Sequence, residues 1–486
     1  MKNDPYPGRD LLLNRRRREA ILHYRELHEV SALIAAEETT SAAVTDAVLD
    51  RIARLDGRLG AFSQVLADSA RREAADRDAD TRRGRSRGPL HGVPVAVKDL
   101  YEVAGTPATA GTVALAEHIA DADSTAVERL RAAGAVVVGK LKMSEGAFAA
   151  HHPQLGTPKN PWGDDLWIGA SSSGNAAATA AGLCYAGLGS DTGGSIRFPA
   201  AAAGLSGIKP TWGRVSRAGM VGFAESLDCA GPIARSVYDA ALVFDQISGP
   251  DPRDPVTLGR RRPRMVDACE RYEEAFTGVR IGIDPAFMDV CDNETRATLD
   301  NAITVLEGLG ATFVEVTLPS VLDAVEDWTP ACAVEAAVVH RRQYEATPDR
   351  YDTQLRELVA TGLAMPATDY QAMLRRRHDF TGRMRDAMSG IDALLLQVTG
   401  TAAPTAKYLA EIGVGPVWRD TIMLATCPIN TAGLPAVTLP GLPTDAGAPV
   451  GFQLVGAHDA EERLVSLAYG FQAHTDYHRR HPAAYA

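Results

Sequence analysis

The stretch LGSDTGGSIRFPAAAAG, residues 188–204, places two adjacent glycines and a serine between an apolar lead-in and a run of alanines. Adjacent glycines allow backbone dihedrals that other residues avoid, and they leave consecutive N–H groups without side-chain cover. Ser195, which directly follows Gly193 and Gly194, is therefore a candidate nucleophile. The alternative is a tight turn whose serine caps the following helix.

The composition is that of a large acidic chain with an extensive core. It has 486 residues, of which 45% are hydrophobic. The 61 acidic and 50 basic residues give a net charge of −11, which argues against nucleic acid as a partner because phosphate binding needs a basic surface. We interpret the basic run Arg15–Arg18 as a solvated helix face rather than a binding patch.

The six cysteines are scattered without a CxxC pair, which predicts free thiols and neither a disulfide framework nor a zinc site. We find no apolar run of about 18 residues and no secretory leader, so we expect a cytoplasmic protein that does not enter a membrane. Phosphate-binding loops, HExxH zinc motifs and the G-x-S-x-G nucleophile elbow are also missing from the sequence.

Helical and extended patterns alternate along the chain, which predicts an α/β fold. Residues 10–85 carry apolar side chains at helical spacing, with a helix start at Thr40 or Ser41. The segment 320–390 is mainly helical and charged, which indicates an insertion that packs on one side. Between these regions, short β-branched runs such as VPVAVKDLYEV, residues 93–103, are typical of buried strands.

Lys98 is the first unusual residue of that strand, because it follows the apolar run VPVAV. A buried ammonium is either paired with a carboxylate or driven toward the neutral form. Asp99 is adjacent, but neighbours in a strand point to opposite faces. A neutral lysine can accept a proton from a serine nucleophile. The alternative is a lysine whose head group extends from the strand end into solvent.

Three consecutive serines, Ser171–Ser173, precede an alanine-rich helix in IGASSSGNAAATAAG, residues 168–182. Serines before a helix are most often caps, but three exceed what one cap requires.

With these motifs the chain resembles the amidase signature hydrolases, whose hallmark is a glycine- and serine-rich stretch followed by G-G-S-I-R. Residues 169–216, GASSSGNAAATAAGLCYAGLGSDTGGSIRFPAAAAGLSGIKPTWGRVS, carry that pattern, and LHGVPVAVKDL, residues 90–100, is similar to the family's lysine segment. The resemblance implies an α/β fold with a mixed, mainly parallel twisted sheet sandwiched between helices. It also implies a single domain, 1–486, whose signature core spans 90–250.

The resemblance assigns catalytic roles by position. Ser195 falls on the nucleophile, Ser171 on the serine with a cis peptide bond, and Lys98 on the base of a Ser–cisSer–Lys triad. The oxyanion formed during acyl transfer would be held by the backbone N–H groups of Thr192, Gly193, Gly194 and Ser195. Arg197 is expected to pair with Asp191 and so fix the loop.

The resemblance further implies hydrolysis of a small carboxylic amide through an acyl-enzyme, with carbamates or esters within reach, and no metal or organic cofactor. The rival function is that of the glutamine-hydrolysing component of a tRNA-dependent amidotransferase, which works in a complex. Residues 142–162, KMSEGAFAAHHPQLGTPKNPW, do not resemble the corresponding stretch of that component, which favours a free-standing amidase. The sequence leaves the oligomeric state open, with a homodimer as one expectation.

The approach to the nucleophile departs from the family pattern. Where an arginine and Pro-Gly-Gly are common, this chain has DLWIGASSS, which replaces a polar approach with an apolar one. The residues expected to contact substrate are Phe148, Trp167, Ile168, Gly169 and Ala170. Such a pocket would prefer hydrophobic or aryl amides over glutamine. Alternatively, Trp167 packs beneath the serine loop and supports it.

Overall fold

The computed structural model describes residues 22–148, 150–413 and 415–485. The first part of the predicted helical region, residues 10–21, lies outside the described residues, and with it the basic run Arg15–Arg18.

All strands belong to one sheet of eleven. In chain order they are β1 Phe62–Val65, β2 Pro94–Lys98, β3 Val136–Leu141, β4 Ala186–Asp191, β5 Ser206–Lys209, β6 Cys229–Ala234, β7 Arg280–Ile283, β8 Thr312–Glu315, β9 Ala393–Gln397, β10 Ala436–Pro440 and β11 Gly451–Val455.

The α-helices are α1 Leu27–Ala35, α2 Ser41–Leu59, α3 Ala67–Arg82, α4 Thr125–Ala132, α5 Ser173–Ala180, α6 Arg197–Ala202, α7 Val237–Ile247, α8 Met265–Glu270, α9 Tyr272–Ala275, α10 Pro285–Met288, α11 Asn293–Gly308, α12 Leu322–Glu326, α13 Trp328–Ala346, α14 Thr353–Ala364, α15 Ala367–Ala387, α16 Ala406–Ile412, α17 Pro416–Trp418, α18 Cys427–Thr431 and α19 Glu461–Ala473. Single 3-10 turns cover Val113–Leu115, Glu145–Ala147, Pro255–Thr257, Pro348–Arg350, Tyr477–Arg479 and Ala483–Tyr485, and a π-helical turn covers Arg419–Met423.

The sheet is mixed, as expected, but it is not mainly parallel. Its strand order is β1-β3-β2-β4-β6-β5-β10-β11-β9-β7-β8. Four pairings are parallel, namely β3–β2, β2–β4, β9–β7 and β7–β8, and the other six are antiparallel. The expectation failed because β5 and β6, like β10 and β11, are joined by segments without a helix. Parallel neighbours need a long crossover, usually helical, whereas shorter connections give antiparallel pairs.

The central strands β2, β3 and β4 are buried at every position. Their runs of small and β-branched residues suit strands that are covered on both faces. Strands β2 and β4 are parallel neighbours, with Val97 opposite Leu188. Their carboxyl ends therefore meet at one edge of the sheet, where open α/β sheets usually bind ligands. Lys98 ends β2 and Asp191 ends β4.

Helices α1 to α3 cover most of the described N-terminal region, and Thr40 caps α2 by accepting a hydrogen bond from the N–H of Ala43 at 3.1 Å. The region is not wholly helical, because β1 lies between α2 and α3 and pairs with β3. The segment 320–390 contains helices α12 to α15. Within the described residues, we find no helix with the length and hydropathy that a membrane span requires.

Candidate active site

Lys98 donates hydrogen bonds to two hydroxyl groups. Its Nζ atom lies 2.7 Å from Oγ of Ser171 and 2.9 Å from Oγ of Ser190. The three side chains are buried, with Lys98 0% and Ser171 1% exposed. Strands β2 and β4 bring Lys98 and Ser190 to the same sheet edge, and Ser171 reaches them from the loop before α5. The structure thus places two of the three predicted triad residues in direct contact.

No carboxylate forms an ion pair with Lys98 in the part of the chain that the structure describes. Asp99 pairs instead with Lys140, whose Nζ lies 2.9 Å from its Oδ1 atom. Burial lowers the pKa of Lys98 to about 7, although the charges of Asp228 and Asp191 act in the opposite direction. A substantial share of Lys98 is therefore neutral near pH 7 and able to accept a proton.

The three consecutive serines have three different partners. Oγ of Ser171 accepts the lysine hydrogen bond described above. Oγ of Ser172 donates to the carbonyl of Ser190 at 3.2 Å, and Oγ of Ser173 lies 2.7 Å from Nε2 of His151. Ser172 is the N-cap residue of α5, but its side chain makes no capping hydrogen bond. The capping alternative therefore does not account for the cluster.

Ser195 is partly exposed, whereas every other residue from 181 to 200 is buried. Its carbonyl accepts the N–H of Ser172 at 3.3 Å, which joins the glycine loop to the serine cluster. The peptide bond between Ala170 and Ser171 is cis, as the resemblance implied. Among the described residues, no hydrogen bond joins Oγ of Ser195 to Oγ of Ser171. Catalytic contacts of this kind often tighten only when substrate is bound.

The expected ion pair between Asp191 and Arg197 is confirmed. Both side chains are fully buried, with Nη2 of Arg197 3.0 Å from Oδ1 of Asp191 and Nε 3.0 Å from Oδ2. Burial alone would raise the pKa of Asp191, but the charge and hydrogen bonds of Arg197 outweigh it and bring that pKa to about 2. Arg197 makes further hydrogen bonds to the carbonyl of Thr426 and to the side-chain oxygens of Asn430 and Gln453.

The structure corrects one residue of the predicted oxyanion site. The N–H of Gly194 donates to Oδ1 of Asp191 at 2.8 Å, so it is already satisfied. Gly194 is needed for another reason: its φ is +136°, and a Cβ atom there would lie 2.3 Å from the ring of Phe198. The loop N–H groups that have no protein acceptor in the described ranges are those of Thr192, Gly193 and Ser195.

Trp167 and Ile168 pack in the core rather than around Lys98 and Ser171. Ile168 is 2% exposed. The Trp167 ring lies 5.8 Å from the ring of Phe198, and both line a small cavity together with alanines of α6 and residues near β11. Since Phe198 packs on Gly194, Trp167 lies behind the glycine loop. This geometry favours the supporting role over that of a pocket wall.

Gly169 and Ala170 lie directly before Ser171. Gly169 has a φ of +81°, and a Cβ atom there would be 2.5 Å from the backbone of Pro199. The glycine therefore allows the serine segment to approach α6 closely. Ala170 is half-buried and precedes the cis bond.

Phe148 belongs to an aromatic cluster with two residues that the sequence did not single out. Its ring lies 5.8 Å from that of Phe223 and 6.3 Å from that of Trp328. Nε1 of Trp328 donates to the carbonyl of Thr192 at 2.9 Å. The same indole covers Gly193, where a Cβ atom would lie 2.8 Å from it. An aromatic surface therefore lies against the glycine loop.

Sequence reasoning also missed Ser190 as a partner of Lys98. Its signal was its position in β4, since it stands one residue before the strand end that carries Asp191. Trp328 and Asn430 carry no such local signal, because they lie 136 and 239 residues beyond the groups that they bind.

A possible metal-ligand set, Glu26, His28 and Asp239, lies outside this site. Asp239 accepts the N–H groups of Leu27 and His28 at 2.6 and 3.1 Å, and Nδ1 of His28 lies 2.8 Å from its Oδ1. These bonds tie the start of α1 to α7, which is a structural role.

Comparison with known proteins identifies relatives over nearly the whole chain. The profile of the Amidase family matches residues 43–465. AmiD of Mycobacterium tuberculosis, a protein named as an amidase, is 41% identical over 458 residues that cover 94% of this chain and 95% of that protein. The glutamyl-tRNA(Gln) amidotransferase component of the same family from Halorhodospira halophila is 36% identical, in a match that covers 96% of this chain and 100% of that protein.

Among solved structures, the native peptide amidase of Stenotrophomonas maltophilia superposes with a TM-score of 0.82 and 30% identity. The match covers 97% of this chain and 98% of the peptide amidase. The similarity to AmiD exceeds that to the amidotransferase component, in line with the expectation of a free-standing enzyme.

Proposed function

The chain belongs to the amidase family and is an amide hydrolase, and we propose that it uses Ser195 as its nucleophile, with Ser171 and Lys98 as the proton relay. The observation that carries this proposal is the 2.7 Å contact between Lys98 and Ser171 in a buried setting without a paired carboxylate. Such a lysine can act as the base that a serine nucleophile needs when no histidine is in place.

In the first half-reaction, Oγ of Ser195 attacks the amide carbonyl carbon. As the new C–O bond forms, the proton of Ser195 moves to Ser171, whose own proton moves to neutral Lys98. The carbonyl electron pair moves to oxygen, where the free N–H groups of the glycine loop would stabilise it. When the C–N bond breaks, the proton returns through the relay to the departing amine, and an ester with Ser195 remains.

In the second half-reaction, a water molecule takes the place of the departed amine. It gives one proton to the same relay as it attacks the ester carbonyl, and the acid and free Ser195 are the products. Carbamates and carboxylic esters pass through a comparable acyl-enzyme, so the same residues would serve for them.

The substrate class that we propose is an amide with a hydrophobic or aryl group next to the carbonyl. The support for it is the cluster of Phe148, Phe223 and Trp328 against the glycine loop. Aromatic side chains contribute strongly to the binding of apolar groups, and ligand pockets are predominantly lined by hydrophobic and aromatic residues.

The test is a substrate panel on the purified protein. It comprises a benzamide, a short aliphatic amide, the corresponding ethyl ester, a carbamate and L-glutamine, each assayed for the released amine, alcohol or ammonia. We expect the benzamide to have the highest kcat/KM among the amides. A fluorophosphonate probe should label the protein, and peptide mass spectrometry should place the adduct on Ser195. Absence of both hydrolysis and labelling would refute the proposed chemistry.

The relatives also include components of glutamyl-tRNA(Gln) amidotransferases, so ammonia release from glutamine is the rival activity. Glutamine as the best substrate, together with a stoichiometric protein partner in a pull-down, would replace the proposed substrate class. The nucleophile and relay would then remain in question only if labelling of Ser195 also failed.

A further inference from the structure

Four consecutive carbonyl groups of the glycine loop accept hydrogen bonds. The donors are Nδ2 of Asn430 to the carbonyl of Asp191 at 3.1 Å, Nε1 of Trp328 to that of Thr192 at 2.9 Å, Oγ1 of Thr426 to that of Gly193 at 2.8 Å, and the N–H of Phe198 to that of Gly194 at 2.7 Å. Every peptide unit between Asp191 and Ser195 therefore has a defined orientation.

The orientation of a carbonyl determines that of the next N–H group. A trans peptide unit is planar, and its C=O and N–H bonds point in opposite directions. The hydrogen bond from Trp328 to the carbonyl of Thr192 therefore directs the N–H of Gly193 away from the indole. That N–H has no protein acceptor among the described residues. The next peptide differs, because Thr426 holds the carbonyl of Gly193 while the N–H of Gly194 is bound by Asp191.

Trp328 is well placed to keep this orientation. It is 8% exposed, and its indole nitrogen can only donate a hydrogen bond. The ring also covers Gly193, where a Cβ atom would lie 2.8 Å from Cζ2 of the indole. Because the ring packs on the same peptide that its N–H binds, the peptide cannot rotate without losing both contacts.

We propose that Trp328 is a positioning residue that orients the N–H of Gly193 toward the oxyanion. The inference rests on the proposed function, in which Ser195 attacks and the carbonyl oxygen gains negative charge. That charge exists only in the transition state and the tetrahedral intermediate, and not in the bound amide. Stabilisation through the N–H of Gly193 therefore contributes to kcat and hardly to KM.

The test compares three variants of the full-length protein. Trp328→Phe keeps an aromatic ring over Gly193 but removes the donor. Trp162→Phe is the matched control, because Nε1 of Trp162 donates to the carbonyl of Ala203 at the same distance of 2.9 Å. Thr426→Val removes the neighbouring bond, whose peptide presents no free N–H. Each variant is assayed for kcat and KM, for the rate of fluorophosphonate labelling, and for inhibition by a trifluoromethyl ketone, which forms an oxyanion on the nucleophile.

For Trp328→Phe we expect kcat and the labelling rate to fall roughly ten- to hundredfold, less than the loss of about 100- to 1000-fold that follows removal of a donor itself. The inhibition constant of the trifluoromethyl ketone should rise by a similar factor, while KM stays within about twofold. Trp162→Phe and Thr426→Val should lower these rates by less than about threefold.

Two outcomes would overturn the proposal in different ways. If Trp328→Phe is labelled at the wild-type rate while Ser195→Ala is not labelled, Trp328 has no positioning role and the proposed nucleophile stands. If the wild-type protein is not labelled on Ser195, both proposals fail together. Equal losses in Trp328→Phe and Thr426→Val would identify a general effect on loop stability and would also contradict the positioning role.

Discussion

Nζ of Lys98 lies 2.7 Å from Oγ of Ser171, and the nearest acidic residue in the chain, Asp99, is bound to Lys140 instead. Burial without a paired carboxylate lowers the pKa of Lys98 to about 7. The contact therefore joins a hydroxyl group to an amine that changes its protonation state near neutral pH.

The first prediction is a pH dependence of catalysis. Because the lysine must be neutral to accept a proton, kcat/KM should rise about tenfold per pH unit below pH 7 and level off above it. Lys98→Arg should be inactive at every pH, since a guanidinium does not deprotonate in proteins. The control is Lys407→Arg, whose side chain is 86% exposed. A flat profile between about pH 5 and 9 would contradict Lys98 as the titrating base.

The second prediction concerns the two serines. Ser195→Ala should abolish amide hydrolysis and fluorophosphonate labelling, because the covalent bond forms on its Oγ atom. Ser171→Ala should retain a low activity, since a water molecule can partly replace a relay hydroxyl. Both variants should unfold near the wild-type temperature, as should the exposed control Ser389→Ala. Equal and mild losses in the two site variants would indicate structural roles instead.

The third prediction concerns the buried pair of Asp191 and Arg197. Arg197→Ala leaves a buried carboxylate without its partner, so the free energy of unfolding should fall by about 3–5 kcal/mol. Urea denaturation measures the change. Arg341→Ala breaks an exposed pair with Glu345 and should cost less than about 1 kcal/mol. A loss for Arg197→Ala as small as that of the control would show that the pair does not stabilise the loop.

The fourth prediction separates Phe148 from Trp167. Phe148→Ala should reduce the preference for a benzamide over a short aliphatic amide by about 1–3 kcal/mol, because it removes an aromatic surface beside the loop. Trp167→Ala should instead lower stability by roughly 2 to 4 kcal/mol and reduce all activities alike, because its ring supports Phe198. A change of selectivity in Trp167→Ala alone would reverse the two assignments.

Much of the site could be predicted from local sequence. The glycine loop, the serine cluster and the strand lysine each lie in a short motif whose residue types have few structural uses. The pairing of Asp191 with Arg197 was also predictable, because the two are close in the chain. What the motifs did not reveal was which N–H groups stay free. The N–H of Gly194 is bound by Asp191, and this depends on how the loop folds back on itself.

The sequence by itself determined the α/β class, the residues of the candidate relay and the need for glycine at position 194, because these follow from local conformation and residue chemistry. Only the tertiary structure decided the directions of the strands, the burial of Trp167 behind Phe198 and the contact of Trp328 with Thr192. These depend on packing between segments far apart in the chain, and the indole of Trp328 reaches its acceptor across 136 residues. A hydrogen bond or a packed ring at that separation is selected by the whole fold, since no local pattern specifies which distant segment will arrive there.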